Sequence, residues 1–322
     1  MALQAKHFAT DARTMPSTRH AAIIGGGTMG ADVAAIFAHA GWTAHIVEPA
    51  RERWAQSEAR ARHAVLQLGG APERASIAVH GGLQDAPWND VAIVVECAPE
   101  KLPLKQSIFA ELARLVPAKV PLASNSSSHP ISDIGRGLAT NERMLGLHFF
   151  MPAHLVPAVE VVRGEVTDAG IWEGTAALMR ELGKVPVRVK KDIPGFLANR
   201  LQHALMREAF ALIDAGFATP EDVDAAVRYG FGLRYIAAGP VLQKDIAGLD
   251  IHCAAAATMY PHLANSTAPG ATLAGLVAAG KLGMKTGEGF YKWSPESAQR
   301  ELERYERAML AALEILKAEP RG

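Results

Sequence analysis

Short apolar runs alternate with amphipathic segments through the first half of the chain. The runs are typical of buried strands, and the segments between them repeat their apolar positions at the 3.6-residue period of a helix. Strands are predicted at residues 21–24, 43–47, 93–95, 121–123, 144–148, 159–163 and 185–189. Helices are predicted between them at residues 28–40, 52–67, 104–115 and 172–182. This alternation predicts an α/β fold with a parallel, doubly wound sheet.

The pattern changes after Pro194 and Gly195, which interrupt regular structure. Beyond them the chain has helical periodicity almost throughout, with helices predicted at residues 196–215, 220–229, 247–259 and 295–317. We therefore expect three parts: a flexible extension at residues 1–19, an α/β domain at residues 20–190, and an all-helical domain at residues 191–322.

Composition narrows the class of protein. The 322 residues are 49% apolar, which is enough for roughly two domains with buried cores. No stretch reaches the roughly 20 apolar residues that a membrane span needs, and residues 1–20 lack the apolar core of a secretory signal. The formal net charge is zero, so neither nucleic acid nor membrane is predicted as a partner. Cys97 and Cys253 lie in apolar runs and are predicted to be buried thiols, which favours the cytoplasm.

A glycine pattern follows the first predicted strand and opens the first predicted helix. It reads Gly25-x-Gly27-x-x-Gly30, with Thr28 and Met29 before the last glycine. The first glycine permits a tight turn, the second lets a pyrophosphate approach the backbone, and the third lets helix and strand pack closely. Unpaired N–H groups at the helix N-terminus favour an anion there. The pattern predicts that residues 20–190 form a Rossmann domain that binds a dinucleotide.

An acidic residue selects the form of that dinucleotide. Glu48 ends the next predicted strand, 18 residues after Gly30, where a carboxylate accepts hydrogen bonds from a ribose 2′-hydroxyl. It would repel a 2′-phosphate, so NAD is predicted as the cofactor. Arg51 and Arg53 follow closely and keep NADP as the alternative.

His148 and Glu160 carry the candidate chemistry. His148 is predicted to end a strand at the carboxyl edge of the sheet, and Glu160 follows twelve positions later. Histidine suits proton removal near neutral pH, and a carboxylate on its other ring nitrogen fixes the tautomer. With the dinucleotide site, the pair predicts an enzyme that moves a hydride to or from an alcohol carbon. His148, His154 and Glu160 have the spacing of no usual zinc site, so no metal is predicted.

Several segments, taken in order, resemble the L-3-hydroxyacyl-CoA dehydrogenase family over nearly all of residues 20–293. They are SNSSS at 124–128, GLHFF at 146–150, DIPGFLANR at 192–200 and KTGEGFY at 285–291. The resemblance implies that His148 is the base and that Glu160 is its partner. It also implies that Ser127 and Asn199 hydrogen-bond the reacting oxygen of the substrate.

The same resemblance implies contacts to the cofactor and a quaternary structure. Glu100 and Lys105, in the run VVECAPEKLPLK, match positions that contact the nicotinamide end of NAD in the family. The family's helical domain forms a homodimer, and the apolar helix at residues 196–217 suits that role. An acyl-CoA substrate would place the enzyme in fatty acid metabolism.

The chain also departs from the family in two places. Met151 stands where asparagine usually follows HFF, and residues 49–90 are shorter than in the family and hold no lysine. The longer family segment carries basic residues that hold coenzyme A. Arg60, Arg62 and Arg74 remain as candidates for pairing with phosphates.

We expect an NAD-dependent dehydrogenase of a small-molecule substrate, of the 3-hydroxyacyl-CoA type. The alternative is the same machinery acting on a small hydroxy acid without coenzyme A, such as carnitine, gulonate or a hydroxylated aromatic carboxylate. The segment GFGLRYIAAGP at 230–240 is more similar to those relatives. In it Arg234 is either a carboxylate ligand or an exposed arginine. A non-catalytic, crystallin-like protein is a remote third class.

Overall fold

The structure is a computed structural model that describes residues 19–318. The predicted extension at residues 1–19 therefore lies outside the described residues, apart from Arg19. The chain divides into two compact units, of which the first ends at Asn199 and the second begins at Arg200.

The first unit contains one eight-stranded sheet. Its strands are β1 (His20–Ile24), β2 (Thr43–Val47), β3 (Ile77–His80), β4 (Val91–Glu96), β5 (Leu122–Ser124), β6 (Met144–Phe149), β7 (Ala158–Arg163) and β8 (Val185–Val189). The order is β3-β2-β1-β4-β5-β6-β7-β8, and only β6 and β7 pair antiparallel. The predicted α/β, doubly wound sheet is confirmed. The sequence pattern missed β3, a half-buried edge strand of four residues whose apolar run, residues 77–79, is only three residues long.

Helices cover both faces of this sheet. They are α1 (Thr28–His39), α2 (Trp54–Gln67), α3 (Leu102–Leu115), α4 (Ile131–Ile134) and α5 (Ala169–Glu181). Alternate residues of β1 point to opposite faces: Ala21 and Ile23 belong to the core under α1, α2 and α5, whereas Ala22 and Ile24 belong to the core under α3 and α4. A sheet covered on both faces explains why its central strands read as continuous apolar runs.

The remaining helices confirm the predicted all-helical region. They are α6 (Ala198–Asp214), α7 (Pro220–Ala225), α8 (Pro240–Ala247), α9 (Leu249–Met259), α10 (Ala271–Ala278) and α11 (Pro295–Ala318). The helix predicted at residues 247–259 is interrupted at Gly248, whose φ of 100° no right-handed helix contains. The sequence pattern also missed α8 and α10.

No described residue of the second unit is buried. Large apolar side chains are exposed there, including Phe217 at 80% and Val241 at 77%. Cys253 is likewise exposed, so its prediction as a buried thiol is wrong: α9 has no core to bury it. Within residues 19–318, no helix is both long and apolar enough to cross a membrane.

A row of three histidines crosses β1, β2 and β3 on one face of the sheet. His20 Nδ1 lies 3.0 Å from His45 Nε2, and His45 Nδ1 lies 2.9 Å from His80 Nε2. Burial, and then the neighbouring imidazoles, lower the pKa of His45 to about 4. The central histidine of the row is therefore neutral at physiological pH.

Candidate functional site

Four adjacent parallel strands, β1, β4, β5 and β6, end at the same edge of the sheet. The glycine turn follows β1, Glu96 ends β4, the serine segment 126–128 follows β5, and His148 lies near the end of β6. The chain order reverses between β1 and β4, and ligands of open α/β sheets bind at such a point. The topology therefore collects the predicted cofactor and catalytic residues at one edge.

The antiparallel pairing of β6 and β7 places His148 directly opposite Glu160. His148 Nδ1 lies 2.7 Å from Glu160 Oε2, and both side chains are buried, at 7% and 0% exposure. The ring of His148 also packs against Phe150 and Phe196, with centroids 4.8 and 5.8 Å away. The predicted meeting of these two side chains is present in the structure.

The second oxygen of Glu160 is held by the segment that precedes and opens α6. Oε1 accepts hydrogen bonds from the backbone N–H groups of Leu197 and Ala198, each at 2.9 Å. Burial alone would raise the pKa of Glu160, but the hydrogen bonds from His148 and from these two amides lower it below its usual value. Glu160 is therefore an ionised carboxylate, which only accepts hydrogen bonds.

This ionised carboxylate fixes the tautomer of His148. Because Glu160 accepts at Nδ1, that nitrogen carries the proton, and Nε2 keeps its lone pair. The pair can therefore take a proton at Nε2 and stabilise the resulting imidazolium, as in other base–carboxylate pairs.

Glu100 organises the serine segment that holds Ser127. Its Oε1 accepts from the backbone N–H groups of Ser127 and Ser128 and from the hydroxyls of Ser126 and Ser128, at 2.6–3.2 Å. Burial raises the pKa of Glu100, but the serine hydrogen bonds and Lys105 outweigh it and lower the pKa to about 2. In this structure Glu100 shapes the loop around Ser127.

Asn199 and Asn125 tie neighbouring parts of the edge together. Asn199 Nδ2 donates to the carbonyl oxygen of Ser127 at 3.4 Å, so these two predicted residues are adjacent through the Ser127 backbone. Asn125 Oδ1 accepts the N–H of Phe149 at 2.8 Å, next to His148. No role was predicted for Asn125, although its position directly after a short apolar strand was a usable signal.

Lys105 is buried beside a carboxylate that sequence reasoning missed. Its ammonium lies 2.8 and 3.0 Å from the two oxygens of Glu96 and 3.2 Å from Glu100. Glu96 also accepts from the hydroxyl of Ser124 at 2.6 Å and is fully buried. An acidic residue at the end of an apolar strand was the available signal. The hydrogen-bond acceptors of the Lys105 ammonium lie on the side of Glu96. The positive charge of Lys105 can orient a polar group at this edge of the sheet.

The glycine turn has the backbone geometry of an anion site. Gly25 has a φ of 107°, and a β-carbon at Gly30 would lie 1.8 Å from the Gly25 carbonyl oxygen. A β-carbon at Gly27 would meet no heavy atom within 4 Å, and no side chain caps the N–H groups of α1 behind it. Thr28 and Met29 form the first turn of α1. These features fit a diphosphate over the helix N-terminus.

Glu48 lies beside this turn, directly after β2, and is 6% exposed. Its Oε2 accepts the N–H of Gly26 at 2.9 Å, and its Oε1 accepts the N–H of Ala50 at 3.0 Å. A carboxylate has about four acceptor positions, so both oxygens can still accept from ribose hydroxyls. Glu48 thus fits NAD and also braces the turn, a role that sequence reasoning missed.

The basic residues considered for coenzyme A are mostly committed within the unit. Arg60 pairs with the fully buried Asp32 through two hydrogen bonds of 2.8 and 3.1 Å. Arg62 pairs with Glu58 at 2.9 Å and donates to backbone carbonyls. Arg74 is exposed.

Two other residues from the sequence analysis are exposed in the structure. Met151, which replaces the family's asparagine, has 66% of its surface accessible. Arg234 is exposed in a short 3₁₀ segment of the second unit.

Comparison with known proteins gives a match along most of the chain. Residues 20–193 match the NAD-binding domain of 3-hydroxyacyl-CoA dehydrogenase, and residues 195–293 match its C-terminal domain. The chain is 33% identical over 304 residues to 5-formyl-3-hydroxy-2-methylpyridine 4-carboxylate 5-dehydrogenase of Mesorhizobium japonicum, covering 93% of this chain and 98% of that protein.

Solved structures similar to this chain include the pyridine carboxylate dehydrogenase and 3-hydroxyacyl-CoA dehydrogenases of the same family. A structure of that pyridine carboxylate 5-dehydrogenase, described as an NAD⁺-dependent dismutase, has a TM-score of 0.87 and 30% identity, covering 94% of this chain and all of that one. (S)-3-hydroxybutyryl-CoA dehydrogenase from Ralstonia eutropha has a TM-score of 0.70 and 30% identity, covering 86% of this chain and all of that one. At equal sequence identity, the backbone of this chain is more similar to that of the pyridine carboxylate 5-dehydrogenase than to that of the hydroxybutyryl-CoA enzyme.

Proposed function

The chain belongs to the 3-hydroxyacyl-CoA dehydrogenase family as an NAD-dependent dehydrogenase of hydroxyl groups, and we propose that its substrate is a small carboxylic acid without coenzyme A. The expectation of an acyl-CoA substrate gives way to the alternative. This change rests on the ion pairs that two arginines form within the unit. Arg60 pairs with Asp32, and Arg62 pairs with Glu58.

Coenzyme A carries several phosphate charges, and a protein that holds it offers free cations to them. Between Glu48 and β4 this chain has no lysine, and it has committed two arginines to carboxylates. Binding a phosphate with Arg60 would take the arginine partner from the buried Asp32 and leave it only the imidazole of His154, 3.3 Å away, which is unfavourable. A coenzyme A clamp built on Arg60 would thus act against the fold.

The relatives support the same substrate class. The protein of Mesorhizobium japonicum that matches over almost the whole chain is named for a substituted pyridine carboxylate. We propose that a small ring or chain bearing a free carboxylate and a hydroxyl or aldehyde carbon is the substrate here. The smaller likeness to the hydroxybutyryl-CoA enzyme is consistent with a shared proton relay and a different substrate pocket.

The mechanism follows from the geometry of the pair. His148 Nε2 removes the proton of the substrate hydroxyl, while Glu160 holds the Nδ1 proton and stabilises the charge that develops on the ring. Ser127 and Asn199 hold the oxygen as it becomes a carbonyl. NAD⁺, when bound, supplies the hydride acceptor. Gly25, Gly27, Thr28, Met29 and Gly30 would hold its diphosphate; Glu48 its ribose; Glu100 and Lys105 its nicotinamide end.

A comparison of substrates tests this proposal. Purified enzyme is assayed with NAD⁺ against 3-hydroxybutyryl-CoA, free 3-hydroxybutyrate, carnitine and a hydroxymethyl-pyridine carboxylate, with His148→Gln as the blank. We expect the highest kcat/KM for one of the free acids. A higher kcat/KM for the coenzyme A ester would overturn the assignment.

A substrate that carries both an aldehyde and a carboxylate requires a readout other than NADH absorbance. In dismutation one aldehyde is oxidised and a second is reduced, so NADH is formed and consumed in equal amounts and its absorbance does not rise. Products must therefore be separated, and acid and alcohol are expected in equal yield with catalytic amounts of NAD⁺. Formation of acid alone, with stoichiometric NADH, would indicate a simple dehydrogenase.

We further propose a homodimer formed through the second unit. Residues 200–318 expose many large apolar side chains and contain no buried residue, and such a surface is stable only when it is covered. Sedimentation at micromolar concentration is expected to give twice the chain mass of 34.2 kDa. The two free cysteines are compatible with the proposed cytoplasmic location.

A further inference from the structure

The connection between β6 and β7, residues 150–157, joins the two strands that carry the catalytic pair. Its middle is folded inwards: Ala153 is fully buried, and His154 and Leu155 are 5% and 8% exposed. A loop normally lies on the surface because its backbone polar groups need partners. This connection must therefore find its partners within the protein.

Lys184 supplies most of those partners. Its ammonium donates to the carbonyl oxygens of Ala153, His154 and Val156 at 2.6, 3.1 and 2.9 Å. An ammonium has three N–H groups, so each of them has one acceptor. The residue is only 6% exposed, and no step of the proposed reaction involves it.

A second anchor holds the same connection from α1 and α2. His154 Nε2 lies 2.7 Å from Gln67 Oε1, and His154 Nδ1 lies 3.3 Å from Oδ2 of Asp32. Asp32 in turn pairs with Arg60. Asp32 on α1 is the charged group that acts on the Lys184 ammonium, and His154 on the connection and Arg60 on α2 are both partners of Asp32.

We propose that Lys184 is a positioning residue of the reaction, which holds the β6–β7 connection so that His148 and Glu160 stay in register. The inference rests on the proposed roles of His148 and Glu160. Lys184 touches neither the substrate nor the catalytic pair, and it acts only through the connection between them.

The physical reason is the precision that the pair needs. The carbonyls of residues 153, 154 and 156 would be buried without donors if the ammonium were lost, so the connection would shift to find water. A displacement of about 1 Å at a catalytic group can lower a rate by about 10²-fold. The hydrogen bond of 2.7 Å between His148 and Glu160 would be the first contact to change.

The charge of Lys184 also makes the arrangement sensitive to alkali. Burial lowers the pKa of Lys184 to about 8, although the nearby carboxylate of Asp32 raises it. Above that pH the neutral amine has two N–H groups for three carbonyls, and its lone pair faces an oxygen. The connection is then held less firmly, even though removing the buried charge does not by itself destabilise the fold.

Three variants test the proposal. Lys184→Met keeps the length of the side chain and removes its donors, Lys184→Arg keeps a charge that does not titrate, and Lys119→Met changes an exposed lysine as the control. We expect kcat of Lys184→Met to fall about 10- to 100-fold with little change in KM for NAD. We expect kcat of the wild type to decline near pH 8, and we expect Lys184→Arg to recover part of the rate and to lose this decline.

An NMR measurement tests the proposal without turnover, and its pH titration uses the wild-type protein alone. The Nδ1 proton of His148, bonded to Glu160, should give a low-field NMR signal in the wild-type protein. We expect it to shift or broaden with a midpoint near pH 8, and to be altered at pH 7 in Lys184→Met. An unchanged signal from pH 7 to 10, or wild-type kcat in folded Lys184→Met, would overturn the proposal. Lack of turnover on every substrate would instead refute the proposed function.

Discussion

The two ends of the sheet each bury a histidine, and the two histidines have opposite surroundings. His45 on β2 is 6% exposed and lies between two other imidazoles. His148 on β6 is 5% exposed and lies against the carboxylate of Glu160. Burial and the two neighbouring imidazoles outweigh the nearby carboxylate of Asp90 and lower the pKa of His45, so His45 is kept neutral. The ring of His148 instead has an ionised carboxylate on Nδ1, and this difference supports the proposed role of His148 as the base.

The contrast between His45 and His148 is tested most directly by removing the imidazole of His148. In His148→Gln the ring nitrogen that takes the proton is lost, so kcat should fall by about 10²- to 10⁴-fold. NADH binding, measured by fluorescence titration, should stay close to wild type because the glycine turn is untouched. His45→Gln is the matched change at the other end and should keep kcat within a few-fold. Equal losses in the two variants would contradict the assignment.

The carboxylate is the next element to remove. Glu160→Gln keeps the shape but loses the charge that orients Nδ1–H and stabilises the imidazolium. A hydrogen bond to a charged group contributes about 1.5–3 kcal/mol, so kcat should fall about 10- to 100-fold. Because the pKa of Glu160 is held low, the wild-type rate should not depend on its protonation above pH 5. A steady-state pH profile of both proteins checks this.

At the cofactor end, Glu48 should affect binding more than chemistry. Glu48→Ala removes an acceptor for the ribose and also frees the N–H of Gly26, and KM for NAD should rise about 10-fold. Glu48→Gln can still accept from Gly26 but no longer repels a 2′-phosphate. It should therefore narrow the preference for NAD over NADP with a smaller rise in KM. An unchanged cofactor ratio in both variants would mean that Glu48 only braces the turn.

The smallest effect concerns the stability of the histidine row. The pKa of His45 in the fold, about 4, is below the ordinary value of 6.5, so the unfolded chain binds more protons in that interval. The contribution of neutral His45 to the free energy of unfolding is fully present above pH 6.5 and is lost as the pH falls towards 4. It is on the order of 1–3 kcal/mol in total. Urea unfolding at pH 7 and pH 5 should show a smaller difference for His45→Gln than for the wild type. Replacing the exposed His63 by glutamine is the control.

Much of the first unit was predictable because its signals are local. Apolar runs located seven of the eight strands, and the glycine pattern located the turn after β1. β3 was missed by the same rule because it is a half-buried edge strand of four residues with an apolar run of only three. In the second unit, α8 and α10 were missed, and the helix predicted at residues 247–259 began two residues before α9 because the positive φ of Gly248 is invisible to a periodicity of apolar residues.

The candidate site was predictable where one residue faces another at a fixed spacing. The twelve-residue interval between His148 and Glu160 becomes a direct pairing across an antiparallel ladder. Glu96 and Asn125 could have been noticed from their positions at strand ends, but their contacts and those of Lys184 were not predictable, because the partners come from distant segments that meet only when the sheet has formed. The position of Glu100 was found, but its contacts with the serine segment depend on tertiary structure.

Phe196 has a φ of 46°, a conformation that a bulky residue adopts only at a cost of about 1–3 kcal/mol. Its ring is fully buried against His148, and the amides that follow it bind Glu160. Replacing Phe196 by glycine would relieve the strain but would also remove a fully buried ring, at a cost of about 3–5 kcal/mol, so heat resistance and activity should both fall. The fold tolerates this strained turn because the turn presents two amides to Glu160 and a ring to His148.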